Sequence, residues 1–76
     1  METPTAAQLF GDIVRRRRRK AGMSQETLAA EAACHPTYIS LVERGLRNPS
    51  LDTMLRLAKG LDYPAWKLVR ETEARL

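Results

Sequence analysis

The sequence predicts an all-α fold of five short helices, on three observations. No segment shows the apolar–polar alternation of a strand. Apolar residues recur instead at helical spacing in five stretches. Residues that start and stop helices separate those stretches. The chain has 76 residues, room for a single compact domain. A chain this short buries only about 60% of its unfolded surface. Dimerisation is therefore a natural source of further burial.

The first helix is expected from Ala7 to about Lys20, where apolar Leu9, Phe10, Ile13 and Val14 recur at helical spacing. Residues 1–6 read as a flexible N-terminus. Gly22 closes the first helix, because glycine takes the left-handed conformation without steric cost. Ser24 is an N-cap for a second helix, Gln25 to Ala32, whose inner face of Leu28, Ala29 and Ala32 is narrow and small. Pro36 suits the first position of a third helix, which runs to Arg44 and stops at Gly45. Ser50 caps a fourth, Leu51 to Leu61, with Leu51, Met54, Leu55, Ala58 and Leu61 inward and Leu57 beyond that stripe. Pro64 opens a fifth, reaching roughly Glu73, with Leu68 and Val69 inward and Trp66 well off the stripe.

The formal net charge of +4 is unevenly placed. Residues 15–47 hold eight Arg or Lys against three acids, and the remainder holds five against six. A basic centre between near-neutral ends suggests a polyanionic partner. The single cysteine, Cys34, excludes an intrachain disulfide and fits a reducing cytoplasm. No apolar run approaches the ~18 residues of a membrane span. The N-terminus lacks the order of a signal peptide. A cytoplasmic protein is the expectation. No Gly-rich phosphate loop is present, and the acids are scattered, so no enzyme is expected. Cys34 has only its neighbour His35 as a base, and no second Cys or His exists to complete a zinc set. No metal or other cofactor is expected.

The third helix carries the functional signal. At about 100° per residue, Leu41, Arg44 and Ser40 lie within about 60° of Thr37, while Ile39, Val42 and Glu43 lie opposite. An apolar back with a front of hydroxyl, methyl and guanidinium groups suits a DNA major groove.

The stretch Gly22-Met-Ser-Gln-Glu-Thr-Leu-Ala29, then Tyr38-Ile-Ser-Leu-Val-Glu-Arg-Gly45, Asn48-Pro-Ser-Leu51 and Leu57-Ala-Lys-Gly-Leu61 closely resembles the Cro/repressor (XRE) family. The resemblance covers about residues 9–70, and Thr37-Tyr-Ile-Ser40 with Glu43-Arg44 look most like restriction–modification controller proteins. It implies a lambda-repressor-like helix-turn-helix domain over residues 7–76. It further implies a homodimer on a palindromic operator of double-stranded DNA, regulating transcription. RNA polymerase or a toxin subunit are the further partners this reading allows. An antitoxin that also regulates its own operon is the alternative within the family. Outside it, the alternative is a protein- or RNA-binding module using the arginine run alone.

Site assignments follow. Thr37, Ser40, Leu41 and Arg44 form the reading front. Gln25, His35, Tyr38, Arg47 and Asn48 are assigned to phosphates or flanking bases. Five consecutive arginines, Arg15 to Arg19, pass all round a helix and cannot share one job. Some are expected at flanking phosphates. Arg17 stands where the family has an apolar residue, so its stem is expected to cover the core edge while its head reaches water and DNA. Arg18 matches the family arginine that pairs with Glu43 in a structural ion pair. Ala33 stands where the tight turn usually has glycine, at a cost of roughly 1–2 kcal/mol if φ is positive. Cys34 reads as a small buried thiol. Leu57 and Trp66 are assigned to the dimer interface, since aromatic residues are favoured in interface cores.

Overall fold

A computed structural model describes residues 2–76 and places five helices: α1 (Ala6–Lys20), α2 (Gln25–Glu31), α3 (Pro36–Glu43), α4 (Leu51–Leu61) and α5 (Ala65–Ala74). The all-α expectation and the order of elements hold. Met1, part of the expected flexible N-terminus, lies outside the described residues. Thr5 begins the ordered capping of α1. Its hydroxyl accepts from the Gln8 N–H, and the Gln8 side chain accepts from the Thr5 N–H. Ser24 and Ser50 cap α2 and α4 through their hydroxyls. His35 caps α3, its Nδ1 accepting from the Thr37 N–H at 3.0 Å, with Pro36 in the first turn.

The ends of the first four helices repeat one device. A residue with positive φ follows each, and the next N–H reaches back five residues. Met23 bonds to the Arg18 carbonyl, Cys34 to Ala29, Leu46 to Leu41 and Tyr63 to Ala58. Glycine fills the left-handed position at Gly22 and Gly45, but alanine fills it at Ala33 (φ 55) and aspartate at Asp62 (φ 52). The turn between α2 and α3 therefore keeps its usual shape despite lacking glycine. Arg56 braces it from α4: Nη1 donates to the Ala33 carbonyl at 3.0 Å and Nη2 to the Thr53 hydroxyl at 3.3 Å.

One core joins all five helices. Phe10, Ile13 and Val14 meet Leu28 and Ala29 of α2, Ile39 and Val42 of α3, Leu57 and Leu61 of α4, and Leu68 of α5. Three inward assignments need correction. Leu51 and Leu55 of α4 and Val69 of α5 are 67%, 52% and 45% exposed. Leu57, assigned to a dimer interface, is wholly buried in the core of its own chain. The reason is rotational. Thr53, Leu57 and Leu61 share one i, i+4 row, and that row sits at the centre of the buried arc. Leu51 and Leu55 fall on its outer flank. Trp66 is exposed on the corresponding flank of α5. No helix among the described residues is long and apolar enough to cross a membrane.

Ala33→Gly is expected to stabilise the domain. It removes a left-handed alanine costing ~1–2 kcal/mol, against ~0.4–1 kcal/mol for the freer unfolded chain. A gain of about 0.5–1 kcal/mol corresponds to a few degrees in a chain of this size. Thermal unfolding of both proteins checks this, and a fall in Tm would contradict the strain at Ala33.

Candidate nucleic-acid interface

The pose of α3 is set from behind, by α1. Gly11 meets α3 backbone to backbone: a Cβ there would overlap the Val42 carbonyl oxygen and lie 2.8 Å from that of Glu43. Two turns along α1, Arg18 grips the same end of α3. Its Nε donates to Glu43 Oε2 at 2.6 Å and its Nη2 to Oε1 at 3.0 Å, with both side chains buried. Nη1 donates to the Met23 carbonyl at 2.8 Å, which ties in the loop before α2. Gln25 Nε2 donates to Glu43 Oε1 at 3.0 Å, which ties in α2 itself. The paired guanidinium is held above its ordinary pKa by its hydrogen bonds to Glu43, against the opposing effect of burial. It stays charged wherever the domain is folded. Sequence reasoning missed Gly11. Its only signal was a glycine inside an otherwise helical pattern, where glycine costs about 0.5–1 kcal/mol and needs a reason. Arg56 was also missed, and nothing in the sequence marks it.

Clasped this way, α3 buries Ile39 and Val42 completely. Thr37 and Arg44 stand exposed, and Tyr38, Ser40 and Leu41 are half-buried around them. Arg44 leans back along the helix, its Nε donating to the Ser40 carbonyl at 3.4 Å, which leaves both terminal nitrogens free. Arg47 and Asn48 are exposed in the loop to α4. His35 is exposed at the start of α3; with Nδ1 accepting from the backbone, the neutral ring carries its proton on Nε2. Gln25 is only partly free, because its amide nitrogen is committed to Glu43 and its carbonyl oxygen remains. Cys34 is half-buried against the core, its thiol donating to the Ala32 carbonyl at 3.4 Å.

Arg17 does not join this surface. It points the other way round α1, into the seam with α5. Its Nη2 lies 3.3 Å from both Glu71 oxygens, and its guanidinium carbon sits 4.1 Å from the centroid of the Tyr63 ring. The assignment to DNA fails on geometry, since Arg17 lies one turn from Ile13 on the strip of α1 that faces α5, while Gly11 and Arg18 face α3. The Tyr63 hydroxyl donates to the same Glu71 carboxylate. That bond, together with Arg17, holds Glu71 below the ordinary carboxylate range; the same bond pushes Tyr63 above its own ordinary value, against the opposing effect of Arg17.

The sequence and the fold are similar to those of known proteins. The family HTH_3, helix-turn-helix, matches residues 14–65. The chain is 54% identical over 54 residues to Control protein C.BamHI of Bacillus amyloliquefaciens, across 70% of this chain and 67% of that protein. It is 40% identical over 62 residues to Control protein C.SmaI of Serratia marcescens, across 82% and 74% of the two chains. Among solved structures, the restriction-modification controller protein C.AhdI from Aeromonas hydrophila superposes with a TM-score of 0.80 at 42% identity, over 82% of this chain and 94% of its own.

The lowered pKa of Glu71 has a pH consequence. A carboxylate depressed in the folded state contributes stability above its unfolded pKa and loses it as pH falls through the folded pKa. Glu71→Gln should therefore be less stable than wild type at neutral pH, with the gap closing as the pH falls below the ordinary carboxylate range. Melts across that range measure it. A gap independent of pH would show that the carboxylate charge does not hold the α1–α5 seam.

Proposed function

The chain belongs to the HTH_3 helix-turn-helix family of DNA-binding transcriptional regulators, and on that premise we propose that it is a sequence-specific homodimer on a palindromic operator, acting as a controller of the kind its relatives are named for. The observation that carries this is the front of α3. Its Thr37, Tyr38 and Ser40 hydroxyls make no hydrogen bond within the described residues, while the helix itself is rigidly clasped. Unsatisfied donors on a fixed helix are what base-edge reading requires. In this reading Thr37 and Ser40 meet base edges, Leu41 a thymine methyl, and Arg44 a guanine or an adjacent phosphate. Gln25 through its carbonyl oxygen, His35 through Nε2, Tyr38, Arg47 and Asn48 serve the flanks. Phosphate contacts fix register and base contacts specify sequence.

Dimerisation is assigned to the outer flanks of α4 and α5. Leu51, Leu55, Trp66 and Val69 are exposed there, and an apolar set of this size on a 76-residue chain calls for a partner surface. Trp66 keeps the role read from the sequence, and Leu51 and Leu55 take the place of Leu57. A two-fold axis through this face sets two copies of α3 about 34 Å apart, one turn of DNA.

Selection of bound duplexes from a random pool, followed by sequencing, is expected to return a palindrome. Thr37→Ala and Ser40→Ala should each cost about 1–3 kcal/mol and relax one base position. Equal losses on selected and random duplex would remove α3 as the reading element. In sedimentation, wild type should be dimeric and Leu55→Glu monomeric at the same concentration. A wild-type chain that binds an asymmetric site as one copy would end the dimeric reading.

A further inference from the structure

The arginine run divides between two faces, and the larger share of charge is not on the α3 side. A groove of about 420 Å³ runs between α1 and α5, walled by Arg16, Arg17, Lys20 and Arg75. It shares Glu71 and Ala74 with a second depression of about 390 Å³ that adds Lys67 and Arg70. Only two acids answer these six cations. Asp12 bonds Arg16 at 2.9 Å and Arg75 at 3.2 Å, and Glu71 bonds Arg17. The excess of four equals the formal net charge of the whole chain, +4; the other seven cations are matched by seven acids. Lys20 and Arg70 make no ion pair within the described residues.

We propose that this α1–α5 groove docks an acidic polypeptide segment of a partner protein while the domain is bound to DNA. The inference rests on the reading that α3 faces the duplex. α1 stands between α3 and α5, with its Gly11–Arg18 side toward α3 and its Ile13–Arg17 side toward α5. The groove is thus separated by a whole helix from the surface assigned to DNA, and it stays open in the complex. Its width suits a single extended chain. Packed helix axes lie only about 8–10 Å apart, too close to admit a duplex. From Lys67 to Arg75 the groove runs about 12 Å along α5 at ~1.5 Å per residue, which is about four extended residues at ~3.3 Å each. Ala74 and the edge of Ile13 give an apolar floor, and guanidinium groups on the walls form charge-assisted bonds with carboxylates.

The test uses a fluorescein-labelled glutamate dodecamer and the full chain saturated with its selected duplex. Fluorescence anisotropy should detect peptide binding to the complex, weakening as salt is raised. Lys20→Glu combined with Arg70→Glu cancels the groove's excess charge without breaking an ion pair of the fold. It should weaken peptide binding about tenfold or more while duplex affinity changes by no more than about threefold, a difference of under 1 kcal/mol. Displacement of the peptide by duplex, or a parallel loss of duplex affinity in the variant, would assign the groove to DNA phosphates and overturn the proposal. No binding by wild type at millimolar peptide would overturn it equally. The Thr37→Ala measurement on duplex is independent of all these outcomes, so a failure of the α3 reading is told apart from a failure of the groove.

Discussion

The grip of α1 on α3 is the constraint on which the rest of the molecule depends. It has a steric part, Gly11 against the Val42 and Glu43 carbonyls, and an ionic part, Arg18 against the Glu43 carboxylate. A buried ion pair contributes little net stability relative to an apolar pair of the same shape, because both charges must leave water. Its effect here is on geometry. A bidentate guanidinium–carboxylate contact fixes distance and angle together. The remaining Arg18 and Glu43 valences are spent on Met23 and Gln25, so one cluster sets the positions of α1, the loop, α2 and α3. A helix whose pose is fixed in the free protein loses less entropy on binding a partner.

The same logic runs through the turn before α3. Most ends in this chain rely on inexpensive residues, such as Ser24, Ser50, Gly22 and Gly45. Ala33 does not. Its left-handed backbone is held by the reach-back bond from Cys34 to Ala29 and by the Arg56 side chain on its carbonyl. The α2–α3 angle is thus secured by α4, the helix whose outer flank is assigned to dimer contacts. Packing in a small domain leaves few elements with only one duty.

Much of this was legible in the sequence because capping chemistry is local. Ser24, Pro36, Ser50 and Gly22 each mark a boundary by what their own side chain or backbone can do, and those boundaries fall within a residue or two of the structure. The front and back of α3 were legible too, since a helix with one apolar face has little choice of orientation. What failed were choices of flank. On α4 the apolar arc is wide, and the sequence does not say which half meets α1 and which meets solvent. Leu57 went to the core and Leu51 and Leu55 to the surface because of how α4 crosses its neighbours. Arg17 failed likewise: in a run of five arginines only the packing of α5 decides which one faces Glu71. Gly11 and Arg56 were illegible as contacts, because both act across elements distant in the chain.

Arg18 and Glu43 act as one unit in posing α3. A double-mutant cycle on folding stability tests it most directly, using Arg18→Met, Glu43→Leu and the pair together, measured by urea denaturation. Each single change should cost about 3–5 kcal/mol, because it strands a buried charge. The double change should cost less than either single one, with a coupling of more than about 2 kcal/mol. Single effects that simply add would contradict the account.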